Sequence, residues 1–222
     1  MSEATPGPSH PHGTPAGGRA ARRANHRPEE LRRRVPRLLG GLVLCGVGIA
    51  VMVAADLGLG PWDVLHQGLS RRSGIPIGTT AILVGLVVLA LWFPLRERPG
   101  LGTVLNVLII GLVIDLVLLL LATPEDLWLR WVLMLAGPVL FAVGSGYYIG
   151  AGLGPGPRDG VMTGLARRGV PVGLARLLLE LTVLAAGWLL GGTVGPGTLA
   201  FALGIGPLVH VVLPRLTLPD AA

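Results

Sequence analysis

Six ionisable residues interrupt stretches that are otherwise apolar: Asp63, Asp115, Asp159, Arg176, Glu180 and His210. Charged groups inside apolar runs are expensive in lipid and persist where they face an interior, a water-filled path or one another. Their chemistry is that of holding and passing a polar solute or a proton. Asp63 and Asp159 stand at matching places in two similar phrases, as carboxylates facing one path from opposite sides or as first-turn acids favoured by the helix dipole. Arg176 and Glu180 are four residues apart and so share a helix face, either as a charge-cancelling pair or as a solute or proton site. Glu180, about two turns deep, is where a site is most expected. Asp115 lies about 20 Å along its helix from Gly102, and its mate at the repeat spacing is His210. The structural alternatives are a hydrogen-bond acceptor for Asp115 and a boundary position for His210. His66 titrates near neutral pH but has Met162 as its mate. Asn106 reads as a hydrogen-bonding group on its span.

Covalent catalysis is not expected. Ser145 and His210 resemble the pair of an intramembrane serine protease, but Val143 stands where a Gly-x-Ser-Gly pattern needs glycine. No other nucleophile and base are paired, no phosphate-binding loop is present, and no cofactor is implied. Cys45, the only cysteine, reads as a buried small hydrophobe. His10 and His12 have no further metal ligands nearby.

These groups need elements to hold them. The 222 residues are 51% hydrophobic and 14% charged, against roughly 25% charged in soluble domains, and the mean hydropathy is +0.69. Six apolar runs, 37–55, 77–94, 103–122, 128–149, 172–190 and 196–213, are each long enough to cross a bilayer core of about 30 Å. The chain therefore reads as an all-α polytopic membrane protein. Residues 1–34, rich in Pro, Gly and Arg, read as a disordered cytoplasmic tail, too long in its basic part for a cleaved signal peptide. Residues 35–122 and 123–214 form two membrane repeats, and 215–222 a short cytoplasmic C-terminus. All 18 basic residues are arginine, eight of them before Leu38. That bias marks topology, with both termini cytoplasmic and the plasma membrane as location. Only Arg71 and Arg72 fall on the wrong side.

The exception follows from a duplication. "GLGPWDVLHQGLSRRSGIPIG" from Gly58 returns as "GLGPGPRDGVMTGLARRGVPVG" from Gly152. Asp63 matches Asp159 and Arg71-Arg72 matches Arg167-Arg168, 96 positions on, while Gly111 matches Gly206, 95 positions on. Three crossings per copy make the second copy enter the membrane inverted, as in many secondary transporters. The fold expected is six transmembrane helices as two inverted three-helix repeats. Each repeat carries a short amphipathic or re-entrant helix of about ten residues after its first span, about 15 Å long and too short to cross.

The segments "GLGPWD", "GLSRRSGIPIG" and "GTVLNVLIIGLVID" resemble the bacterial YczE/YyaS/YitT-type integral membrane proteins, over about residues 37–213. The resemblance implies a multi-spanning plasma-membrane protein of a family often described as transporters, with no settled substrate. The soluble C-terminal domain of the longer members is not expected here. The function expected is an inverted-repeat transporter of a small solute. The alternatives are a non-transporting scaffold or accessory protein binding a protein partner, or a substrate-capture subunit of an energy-coupling transporter that docks through Ala50 and Ala54. The expected partners are the lipid bilayer, an unidentified small solute and, as an option left open, a second copy in a homo-oligomer. Nucleic acid is not among them.

Overall fold

Long apolar runs must satisfy their backbone groups internally when no water is present, and the helix does so within one segment. The computed structural model describes residues 28–218 and is helical throughout, with no strand among the described residues. Residues 1–27, with His10 and His12, and 219–222 lie outside them. The contacts below involve residues from Arg34 onward, which form one unit.

Helix α1 is Pro28–Ala55. It starts at Pro28 rather than near Arg37 because proline suits a first helical position and Glu29 and Glu30 suit a first turn. The second span is α3, Ile77–Ala90, continued by the single turn α4, Trp92–Leu95. Helices α5, Leu101–Leu120, and α6, Leu127–Gly150, follow, and α8, Val172–Leu189, and α9, Pro196–Leu216, complete the set. Among the described residues, six helices are long and apolar enough to cross a membrane. Their outer faces stay apolar, with Phe93 89% and Leu120 85% exposed, a surface that matches lipid rather than water. Between the spans sit α2, Pro61–Ser73, and α7, Pro157–Ala166. Each opens on Gly-Pro with an acid in its first turn, and α2 ends at Gly74 in the left-handed conformation.

Helices α1 and α6 cross on a glycine seam. A Cβ on Gly41 would lie 2.7 Å from the Gly144 carbonyl, and one on Gly48 2.8 Å from that of Gly137. Only glycine permits backbones this close. The pairing order makes the two helices antiparallel.

Hydrogen bonds recur at the repeat spacing. Arg34 donates to the Ala151 carbonyl (3.2 Å), and Arg130 donates to that of Ala55 (2.7 Å). Gly102 N–H donates to the Leu153 carbonyl and Gly197 N–H to that of Leu57. Arg71 and Arg72 reach the carbonyls of Gly191 and Leu190, while Arg167 and Arg168 reach those of Leu95 and Pro94. Each arginine doublet thus caps the end of the other copy's second span, where unpaired carbonyls and a negative dipole end favour a cation. Arg71 and Arg72, the doublet at odds with the arginine bias of the sequence, thus have carbonyl partners of their own.

One pairing is not shared. In the first copy α3 and α5 pack Gly78 against Gly111. There Asp115 accepts from Gly78 N–H (2.6 Å), Thr79 N–H (2.7 Å) and the Thr79 hydroxyl (2.7 Å). In the second copy the mates Gly173 and Gly206 have open space where a Cβ would stand, and His210 is exposed.

Candidate functional site

The opening turns of α2 and α7 meet at a cavity of about 290 Å³. Gly60, Pro61, Trp62, Asp63 and His66 reach it from α2 and its N-cap, and Gly156, Pro157, Arg158, Asp159 and Met162 from α7 and its N-cap. The Gly-Pro starts place these groups. The glycines bring the backbone to the cavity and proline presets the first helical φ. The remaining wall is largely aliphatic and aromatic, including Ile49, Ile114, Phe141 and Phe201.

Four of the six residues singled out from sequence line this cavity: Asp63, Asp159, Arg176 and Glu180. Asp115 and His210 do not. The Asp115 carboxylate caps α3, and His210 faces outward. Arg176 donates from Nε to Glu180 at 2.9 Å, with the Arg176 side chain 53% exposed, so this pair stands at an exposed edge of the cavity on α8. The mates Ala81 and Gly85 border the cavity from α3 without charge. Asn106 and Ser145 also line it, and Cys45 Sγ lies 3.8 Å from the Ser145 hydroxyl.

Asp63 and His66 are buried. Nδ1 of His66 lies 3.3 Å from Oδ1 of Asp63 but is not aligned as a donor, and Oδ1 has no hydrogen-bond partner among the described residues. Burial pushes the His66 imidazole below its ordinary value, against the opposing pull of Asp63. Burial likewise raises the Asp159 carboxyl, against the Gly156 N–H that donates to it at 3.2 Å and the nearby Arg158.

Arg158 was not singled out from sequence. Its guanidinium stands 4.7 Å from the centroid of the Trp62 ring, a cation over an aromatic face. Trp62 and Arg158 are repeat mates, 96 positions apart. The signal was present, as Pro-Trp-Asp against Pro-Arg-Asp, but nothing in the sequence shows that mates touch. Cys45 and Phe141, also mates, touch as well, with Cys45 Sγ 3.6 Å from the Phe141 carbonyl.

Residues 32–214 match the model of a family of unknown function, DUF6198. An uncharacterized protein of Haemophilus influenzae is 39% identical over 79% of this chain and 81% of its own. The uncharacterized membrane protein YczE of Bacillus subtilis is 32% identical over 84% of this chain and 88% of its own. The uncharacterized protein YyaS of the same organism is 26% identical over 78% and 89%. No solved structure matches.

Proposed function

Because this multi-pass membrane protein belongs to the DUF6198 family, of the YczE type, whose description assigns no activity, we propose a function from its own residues: an inverted-repeat transporter of a small solute. One observation carries the reading. The two copies of the repeated phrase open onto a single cavity. Residues related by a two-fold axis can touch their own mates only beside that axis. Trp62 with Arg158, and Cys45 with Phe141, are such pairs, and three of the four line the cavity. These contacts support a cavity at the repeat interface, where transporters of this plan bind substrate.

The reciprocal arginine caps and the antiparallel glycine seam support an inverted arrangement of the copies. The depth of α2 supports an inserted rather than a surface-lying short helix, since Trp62, Asp63, Val64, His66, Gln67 and Gly68 are all buried. Ala50 and Ala54 are buried too, so they offer no exposed docking face to an energy-coupling partner. In this reading both termini are cytoplasmic, Asp63, Asp159, Arg176 and Glu180 border the solute path, and no covalent chemistry is performed.

Single cysteines in a Cys45→Ala background test it. Ser73→Cys and Val170→Cys, beside the two arginine doublets, are expected to react with an impermeant maleimide from opposite faces of the membrane. Ala81→Cys, in the cavity wall, is expected to react from both faces in turn. Ser73→Cys and Val170→Cys reacting from the same face would remove the inverted repeat, and an Ala81→Cys reachable from one face alone would remove transport.

A further inference from the structure

We propose that the cavity takes a zwitterionic solute, of the size and character of an apolar α-amino acid. The proposal deepens the transporter reading and rests on it. Its basis is two groups of opposite charge in one cavity, neither of which has a hydrogen bond to its charged end that balances it: Asp63 Oδ1 and the Arg158 guanidinium. Asp63 is 3% exposed and its Oδ1 accepts no hydrogen bond among the described residues. The His66 Nδ1 lies 3.3 Å from that oxygen, on an imidazole whose burial disfavours its charged form. Arg158 has the Trp62 ring beneath it but no hydrogen bond or ion pair among the described residues. Of the other charges of the cavity, Arg176 is paired with Glu180, while Asp159 accepts from the Gly156 N–H and feels the Arg158 charge without a hydrogen bond to it.

Arg158, over Trp62, and Asp63 line the same cavity, and no ion pair joins them among the described residues. The Trp62 indole N–H, also buried, is a second donor without a partner among the described residues. A buried charge left alone is costly, and its removal from water is offset only by a partner. An ammonium at Asp63 together with a carboxylate at Arg158 and the Trp62 N–H satisfies all three groups at once. A solute bearing only an anion leaves Asp63 unmatched, and one bearing only a cation leaves Arg158 unmatched. The aliphatic and aromatic walls suit an apolar side chain. The volume of about 290 Å³ stands at the lower end of small-molecule sites, which start at about 300 Å³.

The full chain in detergent micelles can be titrated with each of the twenty standard amino acids while its melting temperature is followed. For each binder the N-acetyl derivative, an anion, and the methyl ester, a cation, are titrated in parallel. At least one apolar amino acid is expected to raise the melting temperature. Both derivatives are expected to bind about tenfold or more weakly, since each loses one charge-assisted contact. Asp63→Asn is expected to bring the N-acetyl derivative level with its parent, and Arg158→Gln to do so for the ester. A derivative that binds the unaltered protein as tightly as its parent overturns the proposal, as does a panel with no binder. The derivative series needs no variant, so the test survives a variant that does not fold. If no amino acid binds while Ala81→Cys still reacts from both faces, the substrate class falls and transport stands. If amino acids bind but Ala81→Cys reacts from one face only, transport falls and the site stands as a receptor.

Discussion

Asp115→Ala should loosen the first copy specifically. The Asp115 carboxylate accepts three hydrogen bonds at the start of α3, from Gly78 N–H, Thr79 N–H and the Thr79 hydroxyl, all at 2.6–2.7 Å. The N-cap of α3 is Pro76, which has no side-chain oxygen to take over. A hydrogen bond to a charged group contributes roughly 1.5–3 kcal/mol, and a helix cap as a whole about 0.5–2 kcal/mol. The Thr79 hydroxyl can turn elsewhere and Asp115 is half-buried, so the loss falls short of three full bonds, at about 2–4 kcal/mol. For a chain of this length that lowers the melting temperature by roughly 5–15 °C. Asp115→Asn keeps one acceptor oxygen and should lose about half as much. His210→Ala, at the mate position, removes an exposed side chain and should cost under about 0.5 kcal/mol. Tryptophan-fluorescence melts of the three purified variants decide the matter. An Asp115→Ala melt within a degree of the parent, or a His210→Ala loss equal to it, would refute the one-sided latch.

Gly48→Val places a branched side chain against the Gly137 carbonyl and should cost several kcal/mol, on the order of 3; size-exclusion chromatography should show little folded protein. Gly40→Ala, with nothing within 4 Å of a new Cβ, is the control and should gain about 0.5–1 kcal/mol of helix propensity. Arg71→Ala and Arg167→Ala each remove a cap on the other copy's second span, worth about 1 kcal/mol, and each should lower the melting temperature by a few degrees, Arg167→Ala the more because it also breaks the close ion pair with Glu97. No loss in either variant would remove the cap at that end. Glu180→Gln should slow solute uptake into proteoliposomes while shifting the melt little, because an exposed i, i+4 ion pair contributes only about 0.3–0.5 kcal/mol; unchanged uptake would remove Glu180 from the path.

The six spans were legible because length and apolarity are local properties, and their ends fall within a few residues of those expected, apart from the Pro28 start of α1. The short helices were legible from Gly-Pro starts and their repetition. Asp63 and Asp159 could be paired because the phrase repeats them. The arginine caps were not legible. Arg34 read as one of the tail's topology charges and Arg130 was not singled out, yet each donates to a carbonyl more than seventy positions away, and no sequence pattern marks which helix end a side chain will reach. Arg158 escaped for a related reason: its importance comes from standing over its own mate, which only the packing of the two copies creates. Asp115 was legible as a buried acceptor or a path residue. The geometry commits its oxygens to α3, because Gly78 and Gly111 let the two backbones close up beside it.

The duplicated halves differ most at Asp115 and His210. Suppose the halves trade shapes during a cycle, one shutting as the other comes ajar. Only one of the two resulting forms enjoys the clasp, so they cannot be equally populated. Two to four kcal/mol, as worked out above, corresponds to roughly a 30- to 800-fold preference. On the proposed transport cycle, the empty molecule would idle with its first half shut, and a solute would have to favour the opposite form by a comparable margin to turn the cycle over.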